Sequence, residues 1–487
     1  MKQAILIMAH KNRAQIEKLV RYFDGQCDIF IHIDKKSKAL TAEDEKVLAS
    51  LPGVVQVSRK IAVHWGGFSL LRCQLYLLEQ AMRHSDCRYI HLLSAQDYPL
   101  QPLVKFLRFF DMADKEYIGG THLPAPNWDN NTYKRFQYYF FTDWFKFSTP
   151  KQVKWMWDFA DKQKKWGIKR RLPKQVDHLY GGSAWFSLTR TCTEALLDYT
   201  KKHPALLRRY KYTFVPDEMY IHTVVWNIDF PHKKMGYTNY RYIHWAKQGD
   251  SHPVNFDESY LHELSSTEAF FARKYEYPTC ERLVELTDKY MLTSEELTST
   301  ETGAWTTHTF VKHFYDGGLA QGIIKLCQIY EVKDVIDLGC GPGWYVTALR
   351  KKHIPTVGYD GNPNTTELSQ LLAEQAEYPC EQADLTDELM PEEPYDMVLC
   401  LSVGEYIPEQ YEEQVWKNLS NATGKYLVLS WGSPKYPAEG TINLRPEEYI
   451  IERAAMCGLK VDKLATQTLR DHSWLQRYKD TVLVFRK

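Results

Sequence analysis

Along the first 120 residues, short apolar runs alternate with longer amphipathic ones. Residues 4–8, 29–33, 54–57, 89–93 and 117–118 are β-rich, and 14–23 and 69–83 between them carry apolar residues at helical spacing. This alternation predicts an α/β unit on a mainly parallel sheet, with sites beyond the carboxyl ends of its strands. Polar residues collect at those ends: His10 with Asn12, His32 with Asp34, Trp65 with Gly66 and Gly67, and Ser94 with Asp97. The pattern then breaks at 287–307, where TSEELTSTETG is polar and acidic, and reads as a boundary. A second alternation follows. It runs from VIDL through a helix ending near Leu349 to strands ending at Asp360 and Asp384, then MVLCLS, YLVLSW and a final TVLVFRK. The pattern predicts one domain over 1–285, a linker over 286–305 and a second domain over 306–487.

Composition narrows the functions open to such a chain. At 487 residues it exceeds what one hydrophobic core supports, in keeping with two domains. Lys plus Arg and Asp plus Glu both total 61, so the global positive field that non-specific nucleic-acid binding uses is missing. Ten cysteines lie without CxxC pairs or zinc-site spacing, which suits a reducing compartment. The first apolar run, 4–9, is too short for a signal h-region or a membrane span, so a cytoplasmic protein is expected. One local excess stands out. Residues 151–175 hold nine Lys or Arg against two Asp, with Trp155, Trp157 and Trp166 interleaved. That is either a solvated helix with one buried aromatic face or a peripheral contact with the inner face of an anionic membrane.

The stretch VIDLGCGPG, 335–343, delivers a strand into Gly339, Gly341 and Gly343 and then into a helix. Glycines there let backbone approach a ligand closely. A dinucleotide fingerprint needs a small residue where Trp344 stands. The stretch instead resembles the first motif of class I S-adenosylmethionine (SAM) methyltransferases. That resemblance extends over roughly 306–487 and implies a Rossmann-like domain whose cofactor is held by Asp337, the three glycines, Asp360 for the ribose and Asp384 for the adenine amine. After the fourth strand CLSVGEY replaces the NPPY-type motif of nucleobase N-methyltransferases, which favours a sugar hydroxyl as methyl acceptor. Glu405, Trp431, Tyr436 and His472 are candidate acceptor-side residues, each open to a purely structural role.

In the first domain IFIHIDKKS, VHWGGFSLL, YIHLLSAQDYPL, YGGSAWFSL and VPDEMYIHTVV occur in order. Together they resemble the core-2/I-branching N-acetylglucosaminyltransferase and xylosyltransferase family. The resemblance implies a GT-A-like nucleotide-diphospho-sugar transferase fold and an inverting enzyme with a UDP-sugar donor. It also implies Glu218 as catalytic base, with Arg241 of NYRYIHW and Lys274 of FFARKYE on the donor diphosphate; Arg273 departs from the usual polar neighbour. Inversion at an anomeric carbon needs one base for the attacking hydroxyl and positive charge for the departing diphosphate, which these residue types supply. Asp217 is either a positioning residue or a helix N-cap. SAQDY offers the single acid Asp97 where a metal-binding pair would lie, so metal-independent transfer is expected. His10, Asp34, Trp65, Gly66, Gly67, Asp97 and Trp185 are candidates to line the donor and acceptor pockets.

The sequence therefore predicts a bifunctional enzyme. It would add a GlcNAc- or xylose-type sugar, and then methyl, to a glycan or lipid-linked glycan of a bacterial surface polysaccharide. The rivals are a methyltransferase half acting on a non-glycan target and a glycan-binding scaffold with one decayed domain.

Overall fold

Strand Gln3–Ala9 is buried along its length because its two faces feed two cores. Ala4 and Leu6 pack with Leu71, Leu75 and Leu78 of the helix Phe68–His84, while Ile5 and Ile7 pack with Ile16, Leu19 and Val20 of the helix Arg13–Tyr22. Helices on both faces explain the near-continuous apolar runs, as expected of a parallel sheet. The computed structural model describes residues 2–124, 132–145, 149–171, 178–246, 252–372 and 379–487. The last four residues of the basic stretch 151–175 thus lie outside the described residues.

The first unit comprises residues 1–256 and 268–281. Its seven-stranded sheet runs in the order Met235–Gly236, Glu116–Tyr117, Ser187–Thr189, Tyr89–Ser94, Gln3–Ala9, Asp28–Ile33, Val54–Ser58. The last four are mutually parallel, and Ser187–Thr189 runs antiparallel to both its neighbours. A three-stranded sheet of Arg241–Ile243, Phe271–Arg273 and Tyr98–Pro99 carries the cationic residues.

The second unit comprises 257–267 and 282–487. Its seven strands lie in the order Glu381–Gln382, Thr356–Asp360, Val335–Leu338, Tyr395–Leu401, Thr423–Ser430, Val482–Arg486, Lys460–Val461. The first five are parallel, and Val482–Arg486 is antiparallel to both neighbours. That reversed strand distinguishes the sheet from the all-parallel dinucleotide-binding order. Alternate residues again part to two cores, Val335, Met397 and Leu399 to one and Ile336, Leu338, Val398 and Cys400 to the other. Sheet order reverses between Val335–Leu338 and Tyr395–Leu401, which puts a ligand crevice beyond Leu338.

Two boundaries differ from the sequence reading. Segment 257–267 belongs to the second unit, where Trp344 Nε1 donates to Ser265 Oγ at 3.1 Å. The stretch read as a linker is not a spacer either. Ser299 bridges Trp305, and 302–305 form a wall of the second unit's cleft, because the polar side chains there find partners inside that unit.

Candidate active sites

In the first unit the chain turns sharply before Glu218. Val215, a β-branched residue, sits at φ 51°, held by its N–H donating to Gly66 O at 2.9 Å. A left-handed β-branched residue is rare and marks a place where surrounding structure dictates the backbone. Gly66 is itself at φ 68°, and a Cβ there would strike the Phe214 ring at 2.6 Å. The turn presents Glu218 half-buried, with Arg135 Nη1 donating to its Oε2 at 3.1 Å. Its neighbour Asp217 is more deeply enclosed. It is buried, its Oδ1 has no hydrogen-bond partner among the described residues, and burial followed by the nearby Glu218 raises its pKa. The N-cap alternative for Asp217 fails: the helix Tyr220–Asn227 starts after Met219 without a side-chain cap.

Three cations surround one acid. Asp97 is buried, accepts from Ser94 N at 2.9 Å and Ser94 Oγ at 3.1 Å, and lies 3.6 Å from Arg273 Nε. Arg241 spends its terminal nitrogens on Asn239 O, Phe186 O and Ser187 Oγ, and Arg273 stacks over Trp185 at 4.1 Å. The Nε of each arginine is buried with no hydrogen-bond partner among the described residues. Lys274 follows directly, and burial, then Arg273 and Lys11, bring its pKa down to about 8. Burial also brings Arg241 down to about 10, against the pull of Asp97. Glu276, which pairs with Lys11 at 2.8 Å, and Asp97 are the carboxylates that act on Lys274, so positive charge stays in excess here, an arrangement that suits an anion. Arg273, which departs from the polar residue usual beside the lysine, is its third member.

The GGSAW stretch and Trp65 join the two parts. Gly182 N donates to Glu218 O at 3.0 Å, and three residues on Trp185 meets Arg273. Trp65 packs against Phe214 at 5.6 Å and against His252 at 5.4 Å, a histidine whose pKa burial, Lys274 and Arg273 all lower. Gly67 caps the helix Phe68–His84 where a Cβ would meet Asp143 Oδ1 at 2.3 Å. Asp34 accepts from Lys36 N and Val63 N, both at 3.0 Å, and so ties two loops at the strand ends. His10 stands nearby with its pKa lowered by burial and Lys11. His32 is structural: it is buried and accepts from Ile61 N at 3.0 Å.

The second unit holds an open cleft of about 880 Å³, counted to its mouth. Gly339 and Gly341 of the glycine loop line its floor, and Gly339, Gly341 and Gly343 lie at φ 84°, 54° and 82°. A Cβ on the first two would lie 2.2 Å from Val403 and 2.8 Å from His313 Nδ1, both lining residues, so only glycine keeps the space open there, while one on Gly343 would meet the buried Cys380 Sγ at 2.8 Å. Asp337 is buried with Oδ2 making no hydrogen bond among the described residues, and burial with Asp360 lifts its pKa to about 8. Asp360 accepts from Gly341 N and Asn362 N, both at 2.8 Å. Asp384 accepts from Thr302 Oγ1 at 2.6 Å and from Thr386 N and Oγ1. Each carboxylate keeps acceptor capacity on the cleft side. An orphaned buried acid, a side-chain-free floor and two further carboxylates fit a cationic, hydroxyl-rich cofactor such as SAM.

The other end of the cleft is aromatic. Trp305, His313, Phe314, Tyr345, Tyr406 and Tyr478 line it, and none of them was singled out from the sequence. Burial takes His313 down to about 4, so at neutral pH its ring is uncharged. Of the acceptor-side candidates three prove structural. Trp431 is buried, donates to Asn443 O at 2.7 Å and stacks on Trp416; Tyr436 is tied to Asp480; and His472 Nδ1 meets Thr468 O at 2.7 Å. Glu405 differs. It is wholly buried, neither carboxylate oxygen makes a hydrogen bond among the described residues, and its Oε1 pairs with Arg477 at 3.7 Å beside the lining residue Tyr406.

The two units thus define a nucleotide-sugar-transferase-like domain followed by a Rossmann-like methyltransferase domain. A profile of the Core-2/I-Branching enzyme family matches residues 4–269, more than half of the chain, and a methyltransferase-domain profile matches 335–424. The chain belongs to the Core-2/I-Branching enzyme family. It is 27% identical over 263 residues to a xylosyltransferase of Ciona intestinalis, covering 51% of this chain and 29% of that protein. It is 28% identical over 286 residues to xylosyltransferase 1 of Rattus norvegicus, covering 54% of this chain and 32% of the relative. The chain therefore spans about a third of the length of the curated relatives it matches. Among solved structures, magnesium protoporphyrin IX methyltransferase of Synechocystis with bound SAM aligns to 34% of this chain and 77% of its own. Its identity is 17% and its TM-score 0.28, too low to carry an argument.

Proposed function

We propose that this protein transfers a sugar from a UDP-sugar to a glycan hydroxyl with inversion, and a methyl group from SAM to the same glycan. The observation that carries the first half is the cluster of Arg241, Arg273 and Lys274, with two guanidinium Nε groups that make no hydrogen bond among the described residues and with Asp97 and the Lys11-paired Glu276 as the carboxylates that act on it. A diphosphate supplies the missing negative charge. In the transfer, Glu218 takes the proton of the attacking hydroxyl as that oxygen bonds to the anomeric carbon. The bond from that carbon to the diphosphate breaks, and the three cations stabilise the departing charge. Arg135 keeps the Glu218 carboxylate oriented. Xylose is the donor sugar favoured by the relatives' names, with GlcNAc second.

For the second half, SAM brings a methyl group already activated on a sulfonium, and the chain's own task is alignment. Asp337, Asp360 and Asp384 hold the cofactor over the glycine floor, and the aromatic end takes the acceptor. The acceptor class that suits both transfers is a bacterial surface polysaccharide or its lipid-linked precursor, made on the cytoplasmic side. The ten free cysteines, nine of them buried, are compatible with that compartment. Among the described residues no helix is long and apolar enough to cross a membrane. A screen of UDP-sugars for enzyme-dependent UDP release tests the reading, with UDP-xylose or UDP-GlcNAc expected to be turned over. Release from no UDP-sugar, across a panel of glycan acceptors, would rule it out.

Two results are expected at the donor site. Asp97 is engaged by Ser94 and Arg273, and the diphosphate charge falls to side-chain cations, so EDTA should leave UDP release within about twofold of the untreated rate. Loss of turnover that Mn²⁺ restores would make Asp97 a metal ligand. Lys274 binds the diphosphate as a cation, so deprotonation of the free protein above about pH 8 weakens the donor. Calorimetric titration with UDP should show a roughly tenfold weaker Kd one pH unit above that value. Lys274→Arg, whose charge persists, should flatten the dependence. An unchanged pH dependence in that variant would remove Lys274 from the diphosphate.

A further inference from the structure

The helix Pro150–Lys165 has two unlike faces. On one, Met156 and Ala160 are buried and Trp157 packs on Phe140 and Phe214, each at 5.5 Å. Gln163 fixes that face by both donating to and accepting from the Tyr139 backbone at 2.9 Å, so the helix is firmly seated. The solvent side carries lysines around Trp155, and the chain flanking the helix adds further exposed apolar residues. Trp144, Phe145, Trp155, Trp166 and Ile168 are 64%, 53%, 54%, 63% and 40% exposed. The three tryptophans belong to one aromatic patch. Phe141 stacks on Trp144 at 5.1 Å and meets Phe159 at 6.3 Å, and Phe159 in turn meets Trp155 at 5.8 Å and Trp166 at 6.4 Å.

Charge around the patch has one sign. Lys151, Lys154, Lys162, Lys164, Lys165, Lys169 and Arg171 are exposed, against Asp158 and a half-buried Asp161. A chain with 61 charges of each sign has no general reason to gather its lysines here. Large exposed aromatic patches on monomers mark interaction sites, and tryptophan beside lysine suits the boundary between headgroups and acyl chains.

We propose that this face, Trp144, Trp155 and Trp166 within their lysine collar, seats the first unit on an anionic lipid bilayer. Tryptophans enter the headgroup region, and the lysines hold to the negative surface while their stems lie along it. The patch adjoins the Trp65–Gly67 loop: Thr142 Oγ1 donates to Gly66 O at 3.1 Å, and Asp143 accepts from Ser69 Oγ at 2.6 Å. Seating would hold that loop beside the membrane, where it can meet an acceptor carried on a lipid. This last step rests on the transferase reading above; the seating itself does not.

The test is co-sedimentation of the full chain with vesicles of phosphatidylcholine alone and of phosphatidylcholine with about three-tenths phosphatidylglycerol. The protein should pellet with the anionic vesicles, and 1 M salt should release much of it, since screening then acts within about 3 Å. Trp155→Ala with Trp166→Ala should lower the partition coefficient at least about tenfold. Lys151→Glu with Lys154→Glu, both fully on the surface and outside the core, should lower it by roughly fivefold per residue or more. Equal pelleting of wild type and both variants would overturn the proposal. So would pelleting with neither vesicle, or a concentration-dependent dimer that the Trp155→Ala and Trp166→Ala pair abolishes, which would give the patch to a second copy. Failure of vesicle binding with UDP release intact would refute seating alone; loss of UDP release with vesicle binding intact would refute only the transferase reading.

Discussion

Glu218→Gln should lower turnover of the sugar donor by roughly 10²–10⁴-fold, the range a general base contributes, and leave the Kd for UDP within about twofold. The amide keeps the side chain's shape and its contact with Arg135, whose Nη1 stands 3.1 Å from Oε2, and removes only basicity. Asp217 provides the control. It is buried and raised in pKa, so it favours the neutral form that Asp217→Asn imitates, and that variant should stay within about tenfold of wild type. UDP release measured on the two variants separates base from neighbour. Retained turnover in Glu218→Gln, or equal losses in both, would remove Glu218 from the role.

Gly341→Val should abolish SAM binding, by at least about a hundredfold or roughly 2.7 kcal/mol, with glycosyl transfer within about twofold of normal. Gly341 lies at φ 54°, which valine rarely adopts, and its Cβ would come 2.8 Å from His313 Nδ1 in the cleft wall. Asp337→Ala should weaken SAM by a different route, removing a buried acceptor whose Oδ2 makes no hydrogen bond among the described residues instead of blocking the floor. Calorimetry with SAM reads both, and UDP release on the same samples shows whether the lesions stay in one unit. Loss of both activities in Gly341→Val, with unchanged thermal stability, would mean that the sites are not separable.

Much of this was legible in the chain because it is local. The strand at 335–338 followed by glycines at fixed spacing forces a side-chain-free loop wherever it occurs, and alternation of apolar runs sets the parallel sheets. Arg241 and Lys274 were readable through motifs, and the structure brings both to one cluster. What was not legible depends on partners far along the chain. Arg273 becomes a buried cation only because Trp185 covers it and Asp97 faces it. Arg135 meets Glu218 across 83 positions of sequence. The polar stretch 302–305 looks like a spacer by composition, and becomes a cleft wall because Thr302 finds Asp384 and Trp305 packs on Tyr406 at 4.9 Å. For Trp431 and His472, which the sequence left open between an acceptor-side and a structural role, only the folded contacts decide, and both hold neighbouring backbone.

The central claim, two complete donor sites on one chain, is tested most directly by titrating the full-length protein with UDP and with SAM, singly and then each in the presence of the other. The account predicts one binding site for each, with the affinity for either unchanged by saturation with its companion. Displacement of SAM by UDP, or the absence of a measurable site for either one, would contradict it.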